Sequence, residues 1–271
     1  MSARTTWRVA LAVFRESVRD RVLYSLIAFA AVVIGASLLI GQLTAGQDVK
    51  IIKDLGLAAM SIIGIFIAIF IGIGLVAKEV ERRSVYSLLA KPVRRSELVV
   101  GKYAGLVLTL AINIAVMTLL WYAVLSYYAL TAGEMMRRSW EAPAVDPRML
   151  AAVYLIFVQL MLVTAIAVFF STFSTSPMLS ALFTFGLVVA GHFSADLRNF
   201  EQVVESKPVA AAARAIYYAL PNMAAFDIKS AVVHARPVGA EYVLWTTAYG
   251  LLYVGALLLA SVVIFMRRDF K

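Results

Sequence analysis

Apolar residues in this chain arrive in long unbroken blocks separated by short polar intervals. Residues 62–77 carry no charge, and neither do residues 103–130. Blocks of about 20 apolar residues match the ~30 Å of a bilayer's hydrocarbon core. The pattern predicts six helical spans, over residues 22–40, 55–77, 98–130, 149–173, 178–193 and 242–266. The third would be about 50 Å long at ~1.5 Å per residue, so it tilts or projects beyond the membrane. Trp121, Tyr122, Tyr127 and Tyr128 near its far end read as an interfacial aromatic belt. The expected fold is an all-α integral membrane protein, one transmembrane domain over 1–271 with no room for a separate soluble domain.

The polar intervals differ in character. In residues 1–21, Trp7, Leu11, Phe14 and Val18 share one helical face while Arg8, Arg15, Arg19 and Arg21 lie largely elsewhere. That is the pattern of an interfacial helix; the alternative is a basic flank that only sets topology. Residues 41–54 and 131–148 read as polar links, and 171–177 (STFSTSP) as a tight turn. Residues 194–241 form the longest interval. Leu197, Phe200, Val203 and Val204 recur there at helical spacing, and 226–233 is a second amphipathic piece. Both predict short helices lying on the membrane or dipping into it. Within the second span Gly64, Ala68 and Gly72 place a small residue at every fourth position, a spacing that lets another helix approach closely.

Charge sets the orientation. Intervals 1–21, 78–102, 171–177 and 267–271 hold 15 of the 25 Lys and Arg; intervals 41–54, 131–148 and 194–241, longer as a set, hold 10. The positive-inside rule therefore predicts that both termini and residues 78–102 face the cytoplasm. It also accounts for the net charge of +9 without nucleic acid. Residues 5–21 are too interrupted by charge for a cleavable signal, and no organellar targeting segment is seen.

Little in the chain suggests chemistry of its own. Cysteine is absent, which removes disulfides and thiolate metal sites. His192 and His234 lack a second histidine at ligand spacing, so no metal is expected. Gly101-Lys102 lacks the upstream glycine of a phosphate loop, with Ser96 in that place. No enzyme is expected, and ATP, if used, binds another chain. Ionisable groups deep in the spans are missing, which argues against ion-coupled transport. Asn113, Gln159 and Thr164 are the polar groups there. They read either as a cargo path or as hydrogen bonds between helices.

The specific feature is the basic insert 78–102. Val85, Leu88 and Leu89 recur at i, i+3, i+4, so they share one helical face. Pro92 ends that helix, and Ser96 caps the next. The apolar face needs a cover, either the lipid interface or a groove on a soluble partner.

The run ERRSVYSLLAKPVRRSELVVGK over 81–102 resembles the cytoplasmic signature of ABC-2 type transporter permeases. Leu220-Pro221-Asn222-Met223-Ala224-Ala225-Phe226 resembles a stretch before the last span in the branch that includes the nitrous-oxide-reductase maturation permease. The resemblance implies a coupling helix near 84–90 that docks on a separate ABC ATPase. Its contact set would be Glu81, Arg82, Arg83, Ser84, Val85, Tyr86, Leu88, Leu89, Pro92, Arg94 and Arg95. It implies two ATPase copies holding ATP and magnesium, a second permease chain, and an exporter of the bacterial inner membrane. It also implies re-entrant elements before the sixth span. The competing reading is a membrane anchor or assembly factor that recruits a soluble complex through 78–102 without transporting anything.

Overall fold

A computed structural model describes residues 3–42, 48–81, 95–174, 176–194 and 220–267. Among them the structure is helical and contains no strand. The elements are α1 (Ala3–Val18), α2 (Arg21–Gln42), α3 (Asp48–Glu81), α4 (Arg95–Thr131), α5 (Glu134–Ser139), α6 (Met149–Phe173) and α7 (Pro177–His192). A 3-10 turn (Ala224–Phe226), α8 (Lys229–Val233) and α9 (Ala240–Arg267) follow.

Among the described residues, four helical stretches are long and apolar enough to cross a membrane: Asp48–Ile73, Ser96–Thr131, Met149–Phe173 and Ala240–Arg267. The apolar stretches Leu26–Gly41 and Pro177–His192 are shorter. At ~1.5 Å per residue, the 16 residues of α7 reach about 24 Å, less than a full hydrocarbon core. Helix α4, with 37 residues, is about 55 Å long.

The core is centred on α6, buried along most of its length. It packs against α3, α9, α4 and α7. Leu155, Leu160, Leu162, Val163 and Ile166 are all fully buried on it. The opposite condition holds at α2, α7 and α9, where Val32, Leu39, Leu182, Leu252 and Leu259 are exposed. In a chain of this composition such apolar surface is solvated by lipid.

Two ends of the bundle can be told apart by their contacts. At one end Val13 of α1, Val99 and Leu106 of α4, Val168 of α6 and Phe265 of α9 form a small separate cluster. At the other end the start of α3 meets the close of α4 and the 140–148 loop. Tyr128 donates to the Asp48 carboxylate at 2.8 Å, and Trp121 Nε1 donates to the Ile52 carbonyl at 3.1 Å. Lys53, 1% exposed, donates to the Pro143 carbonyl at 2.7 Å. Lys50 pairs with Glu141 at 2.6 Å and holds that exposed carboxyl below the usual carboxylate range.

This end departs from the sequence expectation in two ways. The polar residues of 48–54 belong to the first turns of α3, which starts at Asp48 rather than 55. Asp48 is tolerated because Tyr128 donates to it, and Lys50 and Lys53 because the 140–148 loop supplies partners. The aromatic belt also divides. Tyr127 is 61% exposed, but Trp121 is fully buried and Tyr128 nearly so. Their polar atoms tie α4 to α3 instead of reaching headgroups, since a buried N–H or O–H needs a partner. Arg137 closes the end of α4 by donating to the Leu130 and Ala132 carbonyls, both at 3.0 Å. A helix's last carbonyls lack partners within the helix, and a basic side chain often supplies them.

The turn between α6 and α7 is built from its serines. Ser174 Nα donates to the Phe170 carbonyl, and Ser174 Oγ bridges to Ser176 at 2.9 Å. Pro177 then opens α7, where a missing N–H costs nothing.

Candidate functional site

The sequence-selected residues fall in three places. In the first, α3 ends at Glu81 and α4 begins at Arg95, so these long helices bracket the basic insert. Arg82, Arg83, Ser84, Val85, Tyr86, Leu88, Leu89, Pro92 and Arg94 lie outside the described residues.

What lies beside that insert was not read from the sequence. Helix α1 packs along the first turns of α4 through a stripe of buried small residues, Ala10, Val13 and Ser17. Gly101 and Gly105 face it. A Cβ at Gly105 would stand 2.5 Å from the Ala10 carbonyl oxygen and 2.8 Å from Val13 Cβ. At Gly101 it would meet the Thr6 carbonyl at 2.9 Å. Real Cβ atoms do not approach backbone so closely, so both glycines are required by the crossing. Trp7 remains 57% exposed on the other side of α1, as an interfacial anchor requires. Helix α1 is thus clamped to the helix that leaves the insert. The signal in the sequence is the four-residue spacing of Gly101 and Gly105, of which the sequence reading used only Gly101-Lys102.

Gly105→Val is expected to lift α1 off α4. Overpacking of this kind costs about 1–3 kcal/mol, or about five- to 150-fold in the fraction detached. The chain has no cysteine, so Ala10→Cys, buried in the contact, reports on it directly. Maleimide labelling should accelerate by at least about fivefold when Gly105→Val is added. An unchanged rate would mean that α1 does not pack there.

The second place is the α3–α6 crossing. A Cβ at Gly64 would stand 2.6 Å from Leu160 Cδ1, and one at Gly72 2.6 Å from Ala167 Cβ. Ala68 between them is fully buried. Gly64 and Gly72 therefore face α6.

The third place is the bundle interior. Asn113, Gln159 and Thr164 are all buried, but their side chains do not bond to one another. Asn113 Nδ2 donates to the Thr109 carbonyl at 2.8 Å, and Thr164 Oγ1 to the Leu160 carbonyl at 2.8 Å, each on its own helix. Gln159 instead reaches across from α6 to α7, with Nε2 3.2 Å from His192 Nε2. His192 Nδ1 lies 2.8 Å from the Val188 carbonyl. Both contacts are satisfied when neutral His192 carries its proton on Nδ1 and accepts the Gln159 N–H on Nε2.

Near this bond the chain leaves regular helix at an unusual level. Residues 220–228 lie alongside α6 and α9, not beyond their ends. Phe226, 1% exposed, meets Gly250 of α9, where a Cβ would stand 3.1 Å from its ring and 2.9 Å from Val158 of α6. Val158 lies nine residues into α6 and Gly250 ten into α9, about 14–15 Å along each. Non-helical backbone is tolerated beside spanning helices only when its polar groups are paired. Here they are. Met223 N donates to the Gly191 carbonyl at 3.0 Å, and Asn222 N to Tyr249 Oη at 2.8 Å. Ala225 N donates to Asn222 Oδ1 at 3.2 Å, and Tyr242 Oη to the Ala225 carbonyl at 2.8 Å. Gly191 admits the turn, since a Cβ there would stand 2.7 Å from the Pro221 carbonyl oxygen. The expected helix around Leu197, Phe200, Val203 and Val204 lies outside the described residues.

This architecture has a named relative. A family model described as "ABC-2 family transporter protein" matches residues 7–270. The chain belongs to the ABC-2 transporter family. Among curated proteins none matches it. ABC-2 permeases are the transmembrane subunits of ABC transporters, and their ATPase is a separate chain. Membership therefore makes this chain a multi-pass transport protein of a membrane. It also covers both the α1–α4 clamp and the paired turn at 220–228.

Proposed function

We infer that the chain is the permease half of an ATP-driven exporter, crossing the membrane six times with both termini in the cytoplasm. Helices α2 and α7 supply the two spans beyond the four long ones, making one domain of 1–271. Two copies, or this chain and a similar one, would assemble with two ATPase subunits that hold ATP and magnesium. The observation that carries the reading is the family match across nearly the whole chain.

In this reading the segment 81–95 docks on the ATPase. Val85, Leu88 and Leu89 bury in a groove, as helix-in-groove recognition requires. Glu81, Arg82, Arg83, Arg94 and Arg95 pair around its rim, where charges steer docking more than they add affinity. The close contact of α1 with α4 supports a rigid path from that segment into the bundle. The α3–α6 seam at Gly64, Ala68 and Gly72 would keep a second pair of helices moving as one. The turn at 220–228 fits the re-entrant element that the family places before its last span. Asn113, Gln159 and Thr164 are proposed for the cargo path, with their present bonds as the resting state.

The test is composition of the native complex. The chain, tagged and extracted gently from its own membrane, should bring down an ABC ATPase in one-to-one ratio. A second permease in the same eluate would identify a heterodimer. Stoichiometric recovery of proteins without ATPase motifs would overturn the exporter and favour the assembly-factor reading.

A further inference from the structure

The turn at 220–228 and the first half of α9 enclose a cleft of about 450 Å³. Its walls are Leu220, Asn222 and Ala225 on one side and Tyr242, Trp245, Thr246, Tyr249 and Tyr253 on the other. That is within the ~300–1,000 Å³ range of small-molecule sites, which combine apolar walls with a few convergent polar groups. Several wall groups already serve the fold. Tyr242 and Tyr249 bond the turn's backbone, and Tyr249 and Tyr253 lie 4.9 Å apart between ring centres.

Two wall groups are left over. Thr246 is only 6% exposed, yet among the described residues its hydroxyl has no hydrogen-bond partner. A helical threonine usually bonds the carbonyl one turn back, as Thr109, Thr164 and Thr247 do here. Asn222, also on the wall, uses its carboxamide oxygen within the turn, which leaves its side-chain N–H donors available. A hydroxyl and an amide donor without partners, in an otherwise aromatic recess, are groups that a ligand would satisfy.

The ligand's charge follows from the walls. Among the described residues, none of the eight that line the cleft is ionisable near neutral pH, so these walls offer an anionic head no counter-ion. The nearest acid bonded to the wall, Glu241, accepts from Trp245 Nε1 at 3.4 Å and repels anions further. Trp245 is itself 68% exposed on the lipid-facing side of α9, so the cleft is reached sideways from the bilayer.

We propose that this cleft binds an uncharged amphipathic molecule drawn from the surrounding leaflet, its hydroxyl- or ester-bearing head on Thr246 and Asn222 and its apolar body along Trp245. The proposal rests on the transport reading and narrows it to a cargo class.

The full-length chain in nanodiscs is exposed to a photoactivatable monoacylglycerol at low mole fraction, and crosslinks are mapped by peptide mass spectrometry. Matched probes carry the same chain on a carboxylate or a trimethylammonium head. Crosslinks to 220–226 and 242–253 should saturate, compete with unlabelled monoacylglycerol, and exceed those of both charged probes about tenfold. Thr246→Val should weaken occupancy about three- to tenfold, the loss of one hydrogen bond. Trp245→Ala should weaken it about tenfold, while Trp245→Phe keeps most of it. Background crosslinks to exposed Leu182 of α7 give the internal reference for folding. Non-saturable labelling spread evenly over lipid-facing helices would overturn the proposal. So would equal labelling by all three heads, or indifference to Thr246→Val and Trp245→Ala. No ATPase or transport step enters the readout, so a failed co-purification and a failed crosslink are separate results.

Discussion

Leu88→Asp is expected to abolish ATPase activity stimulated through this chain while leaving membrane insertion intact. On the docking reading, Leu88 sits with Val85 and Leu89 on the apolar face of the 78–102 insert. A carboxylate placed in an apolar groove without a partner pays its desolvation in full. The central anchor of an interface typically contributes about 2–4 kcal/mol, so affinity for the ATPase should fall about thirty- to a thousand-fold. The measurement compares ATP hydrolysis by the ATPase with wild-type and variant permease in the same vesicles. Insertion is checked by protease protection. An anchor that met only lipid would show the reverse: weaker surface association with hydrolysis unchanged. Normal stimulation by the variant would remove 81–95 as the docking segment.

Gly56→Val should be the most damaging single change in the described fold. Any side chain at 56 collides with the indole of Trp121. That ring cannot move aside, because it is fully buried and its Nε1 is tied to the Ile52 carbonyl at 3.1 Å. Overpacking plus a broken buried hydrogen bond costs about 3–5 kcal/mol. Much of a typical ~5–15 kcal/mol margin would be gone. Monodisperse yield in detergent and the midpoint of thermal aggregation should both fall sharply. Trp121→Ala added to Gly56→Val should recover part of the loss, since the two changes act on one contact and are not additive. Strict additivity would show that the glycine matters for some other reason.

The two variants also mark what was legible beforehand. The insert was found from the sequence because helical spacing, Pro92 and a dense basic run are local features. The Gly56–Trp121 contact was not, because nothing near Gly56 indicates that an indole 65 positions away lies over it. Trp121 looked like a belt residue since Trp and Tyr near a span's end usually are. Tyr127, six residues further along the same helix, is in fact exposed. Which ring turns inward depends on the rotation of α4 against α3, and composition does not encode that. Lys53 carries the same lesson. It read as part of a polar link, yet it is a buried helical lysine whose partner, the Pro143 carbonyl, comes from a loop ninety residues later.

The candidate sites divide the same way. Gly64, Ala68 and Gly72 were picked out by their period, and the fold sets the two glycines against Leu160 and Ala167 of α6. Gln159 was singled out as polar in a span, but its bond to His192 required knowing that α6 and α7 adjoin. Thr246 drew no attention at all. A threonine in an apolar helix ordinarily bonds its own backbone, and only the fold shows that this one does not.

By itself, then, the sequence determined the membrane as solvent, the all-helical class of the described residues, and where the basic run falls along the chain. These follow from transfer of contiguous apolar runs out of water and from backbone pairing within each helix, both of which act over twenty residues or fewer. The tertiary structure decided which glycines lie at crossings, which aromatics face inward, and how deep the 220–228 turn runs beside α6 and α9. Those depend on which faces meet across the bundle, a matter of packing between residues distant in the chain.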